Sequence, residues 1–209
     1  MTRRFVDIAT TSSVRAAQLA AGVTRRHREP ETQTECDSLT AHERAFIQER
    51  DSFYMASVSE TGWPYVQHRG GAPGFLKVLN DTTLAFPDYR GNRQYLSVGN
   101  LAADDRTMLF LMDYARRARL KIFGRVETVD IQAEPDLAQQ VIDPSDEAKF
   151  ERIFRIRVEA FDWNCPQHIT PRFTEADIAH ALRHLTDRIA NLEAENARLS
   201  AELANQTGE

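Results

Sequence analysis

The chain has 209 residues, 42% hydrophobic and 27% charged, enough to close one substantial core with appendages and too apolar for global disorder. Net charge is −5, yet residues 1–28 carry six Arg against one Asp. No uncharged stretch approaches the roughly 20 apolar residues of a spanning helix.

The basic start has no continuous apolar run, so it is no secretory signal. It reads as a loosely ordered arm, with a transit peptide as the lesser alternative. The two cysteines, Cys36 and Cys165, make neither a metal spacing nor a disulfide framework, so a reduced, cytoplasmic setting is expected. Of 26 basic residues, 23 are Arg; such a skew is that of a genome, and no single Arg marks a site.

In chain order, Ser12–Gly22 reads as a short helix stopped by Gly22, and the polar stretch 29–39 as a linker. Thr40 and Glu43 have capping-box spacing ahead of Phe46 and Ile47, which predicts a helix ending near Arg50. Strand signals follow. Phe53–Ser59 meets Trp63–Arg69 across Glu60-Thr61-Gly62, and Phe75–Leu79 meets Thr82–Phe86 across Asn80-Asp81. Arg93–Leu101 reads as a helix entered directly from a polar loop. Thr107–Asp113 and Arg119–Val129 form a third pair, and Arg152–Phe161 a late strand after a helical insert near 135–142. Short antiparallel strands at this spacing predict a closed or partly closed barrel. Four segments result: a basic arm and linker over 1–39, a barrel domain over 40–163, a connection over 164–173, and a C-terminal helix over 174–205.

In that helix Leu182, Leu185, Ile189, Leu192, Leu199 and Leu203 alternate three and four apart around Asn196. Placing 182, 189, 196 and 203 at heptad position a gives a three-heptad coiled-coil seam. An a-position Asn favours a parallel dimer, and Arg188 at g can meet Glu193 at e of a second chain. The alternative is an amphipathic helix lying on its own barrel.

No nucleotide P-loop, zincin motif or nucleophile elbow occurs. His180 and His184, four apart, read as a solvated pair. Cys165 and His168 could form a redox or nucleophile pair, or a structural turn beneath Trp163. Residues 64–125 carry more information. Gln67-His-Arg-Gly-Gly-Ala-Pro-Gly-Phe-Leu-Lys77 has three glycines in five residues, which let the backbone approach something flat or anionic, with Arg69 and Lys77 flanking. Phe86-Pro-Asp-Tyr-Arg-Gly-Asn-Arg93 feeds a helix start, where free amides, Asn92 and Arg93 can meet an anion. In Arg116-Arg-Ala-Arg-Leu-Lys121 and onward, Arg119, Lys121 and Phe123 share one strand face. Residues 85–125 hold eight basic and four acidic side chains. That local excess suits a small phosphorylated ligand better than nucleic acid, which wants a broader basic face.

These three stretches together resemble the pyridoxamine 5′-phosphate oxidase-like FMN-binding split barrels, over roughly residues 40–163. The resemblance implies a mainly β, antiparallel split barrel with flanking helices, and a homodimer binding FMN where both subunits contribute. It implies that Lys77 and Arg93 hold the FMN phosphate and that Asn92, from the loop Asp88–Tyr95, assists. Gly74 and Phe75 would lie along the flavin ring, with Arg119 or Lys121 at its pyrimidine edge; Arg69 is carried over less directly. His68 and Tyr89 fall near the implied ring. The oxidase's C-terminal segment, which supplies an Arg and a His to pyridoxine, has no counterpart in Asn164–Arg172. The expected function is an FMN-dependent oxidoreductase fed by a reduced nicotinamide or similar donor, acting on a small molecule. The alternatives are a non-catalytic flavin- or haem-binding carrier or redox sensor, and a deazaflavin-dependent reductase. Further association is expected through the C-terminal helix, and neither nucleic acid nor membrane is an expected partner.

Overall fold

The computed structural model describes residues 3–23, 36–144, 150–163 and 167–207. They fall into two units: Met1–Asp113 with Arg117–His168, and Tyr114–Arg116 with Ile169–Glu209. Cys165 lies outside the described residues.

The first unit is built on seven antiparallel strands: β1 (Ser52–Val58), β2 (Pro64–Gly70), β3 (Lys77–Asn80), β4 (Thr83–Tyr89), β5 (Arg106–Asp113), β6 (Ala118–Val129) and β7 (Phe150–Trp163). Their order is β2-β1-β5-β6-β7-β4-β3. Alternation turns one face of each central strand inward. Phe53 and Met55 of β1, Leu109 and Leu111 of β5, and Leu120 and Ile122 of β6 join Leu84, Phe86, Phe154 and Ile156 in one core. Each such large side chain contributes about 1.5–3 kcal/mol by leaving water.

The sheet curls. Phe53 and Phe86 meet edge to face, ring centroids 5.2 Å apart, although β5, β6 and β7 separate their strands in the sheet. The two edges, β2 and β3, are not hydrogen-bonded to each other among the described residues, so the barrel is split along that seam. At Gly124 the β6–β7 register shifts, and a Cβ there would lie 2.8 Å from Ile156 Cγ2 and 2.9 Å from the Arg157 carbonyl oxygen. Only glycine lets the two strands come this close.

Helices seal the barrel. The predicted capping box is present: the Thr40 amide donates to Glu43 Oε2 at 3.0 Å, and Thr40 caps α3 (Ala41–Gln48). Phe46 and Ile47 are buried, and the Trp163 indole donates to Glu43 Oε1 at 2.7 Å. Helix α5 (Pro135–Val141) places Leu137 and Val141 in a second cluster with Ala85, Val129 and Ile153.

Three expectations change. The N-terminal arm begins with a packed helix, α1 (Arg3–Ala9), followed by α2 (Ser12–Ala20). Phe5 is buried and stacks on Phe123 at 4.6 Å, and Arg4 pairs with Glu159 at 3.2 Å. Phe75 and Leu76 precede β3 instead of opening it, because Gly74 is left-handed (φ 78°) and the Phe75 amide turns back onto Ala72. Lys77 therefore starts its strand. The helix expected from Arg93 is α4 (Leu96–Ala103): Arg93 (φ 61°) and Tyr95 (φ 52°) are both left-handed and cannot propagate a right-handed helix.

In the second unit the Arg172 guanidinium lies over the Tyr114 ring at 4.9 Å. Its helix α6 runs unbroken over Glu175–Thr207. Thr174 and Asp177 cap it reciprocally: the Asp177 amide donates to Thr174 Oγ1 at 3.1 Å, and the Thr174 amide to Asp177 Oδ2 at 2.9 Å. The Thr174 amide and hydroxyl hold the Asp177 carboxyl below its ordinary range. No described helix is long and apolar enough to cross a membrane.

Candidate functional site

A shallow cleft of about 70 Å³, partly open to solvent, lies in the first unit. Tyr65, Gln67 and Arg69 of β2, the end of β4, the 91–95 loop, the first turn of α4 and Glu151 of β7 line it. Period-two alternation sends Tyr65, Gln67 and Arg69 to one side of β2. Gln67 Oε1 accepts from the Ser97 hydroxyl at 3.0 Å, fastening α4 to β2. From the next turn, Asn100 Nδ2 donates to Ser57 Oγ at 3.1 Å.

The loop is held by its own side chains. Asn92 Oδ1 accepts from the Gln94 amide at 3.1 Å. The left-handed conformations of Arg93 and Tyr95 each cost about 1–2 kcal/mol, the kind of strain that clusters at functional sites. No side chain caps α4, so the amides of Leu96, Ser97 and Val98 begin the helix at the cleft wall.

The charges are unequal. Arg69 Nη1 donates to Asp88 Oδ1 at 2.9 Å, and its guanidinium lies 5.3 Å from the Phe154 ring centroid. Burial pushes the Asp88 carboxyl up, against the pull of Arg69 and Arg152, and burial pushes the Arg69 guanidinium down. Arg152 reaches Asp88 at 3.5 Å and Glu151 at 3.1 Å; Arg90 reaches Glu151 at 3.6 Å. Arg93 is exposed and has no carboxylate partner among the described residues. Four guanidinium groups against two carboxylates leave this cluster at +2.

The structure thus brings together Arg69, Asp88, Asn92 and Arg93. It does not bring the other candidates to them within one chain. Gly74 and Lys77 line a separate depression with Gln48 and Gln140, and Phe75 is buried in the core, stacked on Phe53 at 5.5 Å. Arg119 sits on the outer face of β6, 5.9 Å from the Phe110 ring centroid, its Nε buried without a hydrogen-bond partner. Lys121 pairs with fully buried Asp162 at 2.6 Å and lies 4.6 Å from the Phe5 ring centroid, beneath α1. Of the two histidine and tyrosine candidates, Tyr89 lines the cleft, while His68 packs edge-on against Tyr54 at 5.6 Å. Sequence reading missed Glu151 and Arg152. Only the β4–β7 register, which pairs Asp88 with Arg152, brings them to the cleft.

Residues 39–164 match the family model described as pyridoxamine 5′-phosphate oxidase. No curated protein matches the chain. Among solved structures, HupZ from Group A Streptococcus is 14% identical, covering 65% of this chain and 99% of its own, with a TM-score of 0.46. An FMN-binding protein from Syntrophomonas wolfei is 10% identical over 58% and 83% of the two chains, TM-score 0.46. A protein related to general stress protein 26, from Clostridium acetobutylicum, is 12% identical over 66% and 94%, TM-score 0.44. The match over residues 39–164 covers more than half of the chain.

Proposed function

The chain belongs to the pyridoxamine 5′-phosphate oxidase family, and from that premise we propose that it binds FMN and serves as a flavin-dependent oxidoreductase fed by a reduced nicotinamide or similar donor. The observation that carries this reading is Arg93: an exposed cation without a carboxylate partner, held left-handed beside Asn92 at an uncapped helix start. The donor set fits a phosphate monoester. That group carries nearly two negative charges, the cluster around the cleft is +2, and charge-assisted bonds from guanidinium and amide groups are the strong ones.

Arg93, Asn92 and the first amides of α4 would hold the phosphate. Arg69, tied to Asp88, braces the cleft floor and adds positive potential. Bound FMN would supply hydride and one-electron chemistry; the chain binds, orients and excludes water. Arg119, on the outer face of β6, would reach a flavin only across a homodimer, whereas Lys121 stays committed to Asp162 beneath α1. The outer face of β2, β1 and β5 supports that assembly: Tyr54, Val58 and Val66 are exposed on it, next to Met108 and Phe110. Oxidation of pyridoxamine phosphate itself is not proposed.

One observation favours the non-catalytic carrier as a second reading. Asp88 and Glu151, the cleft's carboxylates, are both committed to arginines, leaving neither for proton transfer. The test is the visible spectrum of the purified protein before and after incubation with FMN and desalting. A retained flavin spectrum supports the site, and its absence overturns it. Steady-state NADH or NADPH consumption by the loaded protein then separates enzyme from carrier.

A further inference from the structure

The face that the fold leaves uncovered is on α6. Every described side chain of this 33-residue helix is exposed, and Ile178, Leu182, Leu185, Ile189, Leu192 and Leu199 are each 45–57% exposed. A lone helix gains most of its stability by burying an apolar face, and a rod about 50 Å long by the helical rise exposes too regular a stripe to be incidental. The continuous helix adds Ile178 at position d to the seam, which now spans four heptads with Leu182, Ile189, Asn196 and Leu203 at a and Leu185, Leu192 and Leu199 at d.

We propose that α6 pairs in parallel, in register, with α6 of a second copy of this chain. Three features select that occupant. The flanking e and g positions from Thr186 onward are Thr186, Arg188, Glu193, Glu195, Ser200 and Glu202; a stripe this narrow suits two strands. Arg188 at g and Glu193 at e are complementary across a parallel in-register pair, in both directions of the two-fold. Asn196 meets its own copy only in that arrangement. An antiparallel pair sets it against a leucine, with a buried amide and no partner. The seam does not depend on the flavin reading.

The test uses full-length protein with Cys36→Ser and Cys165→Ser, adding Leu192→Cys or Leu199→Cys at d, or Ala194→Cys at outward position f as the control. Identical d positions across a parallel pair fall within disulfide reach. Mild oxidation should link most of either d variant into a covalent dimer and leave the control unlinked. Asn196→Leu should release register and raise the mass measured by light scattering. Three results would overturn the proposal: d variants that stay unlinked, a control that links as readily, or Leu199→Cys that links only when mixed with Leu182→Cys at a, the mark of an antiparallel pair.

Discussion

Arg69 on edge strand β2 grips Asp88 on β4 at 2.9 Å, bridging with one ion pair the seam that backbone hydrogen bonds leave open. Both side chains are nearly buried, 13% and 9% exposed, and the Arg69 guanidinium stands over the aromatic floor of Phe86 and Phe154.

Desolvation works against this pair, so its partners depend on each other. Asp88→Leu, which strands the Arg69 cation, should cost about 3–5 kcal/mol, whereas Arg69→Met with Asp88→Leu should recover most of that loss. Arg152, which also reaches Glu151 at 3.1 Å, retains that carboxylate when Asp88 is removed. A double-mutant cycle by urea unfolding measures the coupling; additive losses would show that the pair does not bridge the seam.

Glu43 sets an acid limit. Burial raises its carboxyl, but bonds from the Thr40 hydroxyl, the Trp163 indole and the Thr40 amide outweigh that and hold it below its usual 4.5. A depressed folded value means the stabilisation is present above 4.5 and lost as pH falls through the folded value. Asp88, raised from 3.8, has the opposite sign: its contribution is greatest below 3.8 and fades as pH rises through its folded value. Glu43→Gln should therefore show a smaller drop in Tm on acidification than the parent, read by circular dichroism.

Arg93→Ala should weaken FMN binding about 10–100-fold, the equivalent of one charge-assisted bond of about 1.5–3 kcal/mol. Arg183→Ala, on α6, should leave it unchanged. Fluorescence titration of FMN gives both values, and equal losses would remove the cleft from consideration.

Gly74→Ala should destabilise the first unit by about 1–2 kcal/mol through the left-handed backbone alone, and the added methyl would meet the Gln48 carbonyl oxygen at 3.0 Å. Since the Gly74 amide donates to the Arg50 carbonyl, the damage should also loosen the end of α3. Hydrogen exchange at Glu49 and Arg50 reads that locally.

Much of the barrel was legible because its signals are local. Alternation marked β1, β5 and β6, turn residues marked the hairpins, and Thr40 with Glu43 announced α3. The start of α4 was not, since nothing in Asn92-Arg-Gln-Tyr95 advertises two left-handed residues without glycine. Nor was α1, whose helix is stabilised by Phe5 docking on Phe123, more than a hundred residues away. The cleft was half legible: Arg69, Asp88, Asn92 and Arg93 lie in recognisable stretches, while Glu151 and Arg152 arrive only through strand pairing.

The packing of α1 has a consequence for biogenesis. Arg4 waits for Glu159, and the Asp37 amide for the Glu159 carbonyl. During synthesis α1 therefore finds its full set of partners only after β7 has emerged. The nascent chain must carry Phe5 unburied through nearly the whole synthesis of the barrel, and contacts this remote slow closure because the loop entropy is lost before they form. Helix α1 can dock fully only onto β6 and β7 that are already paired.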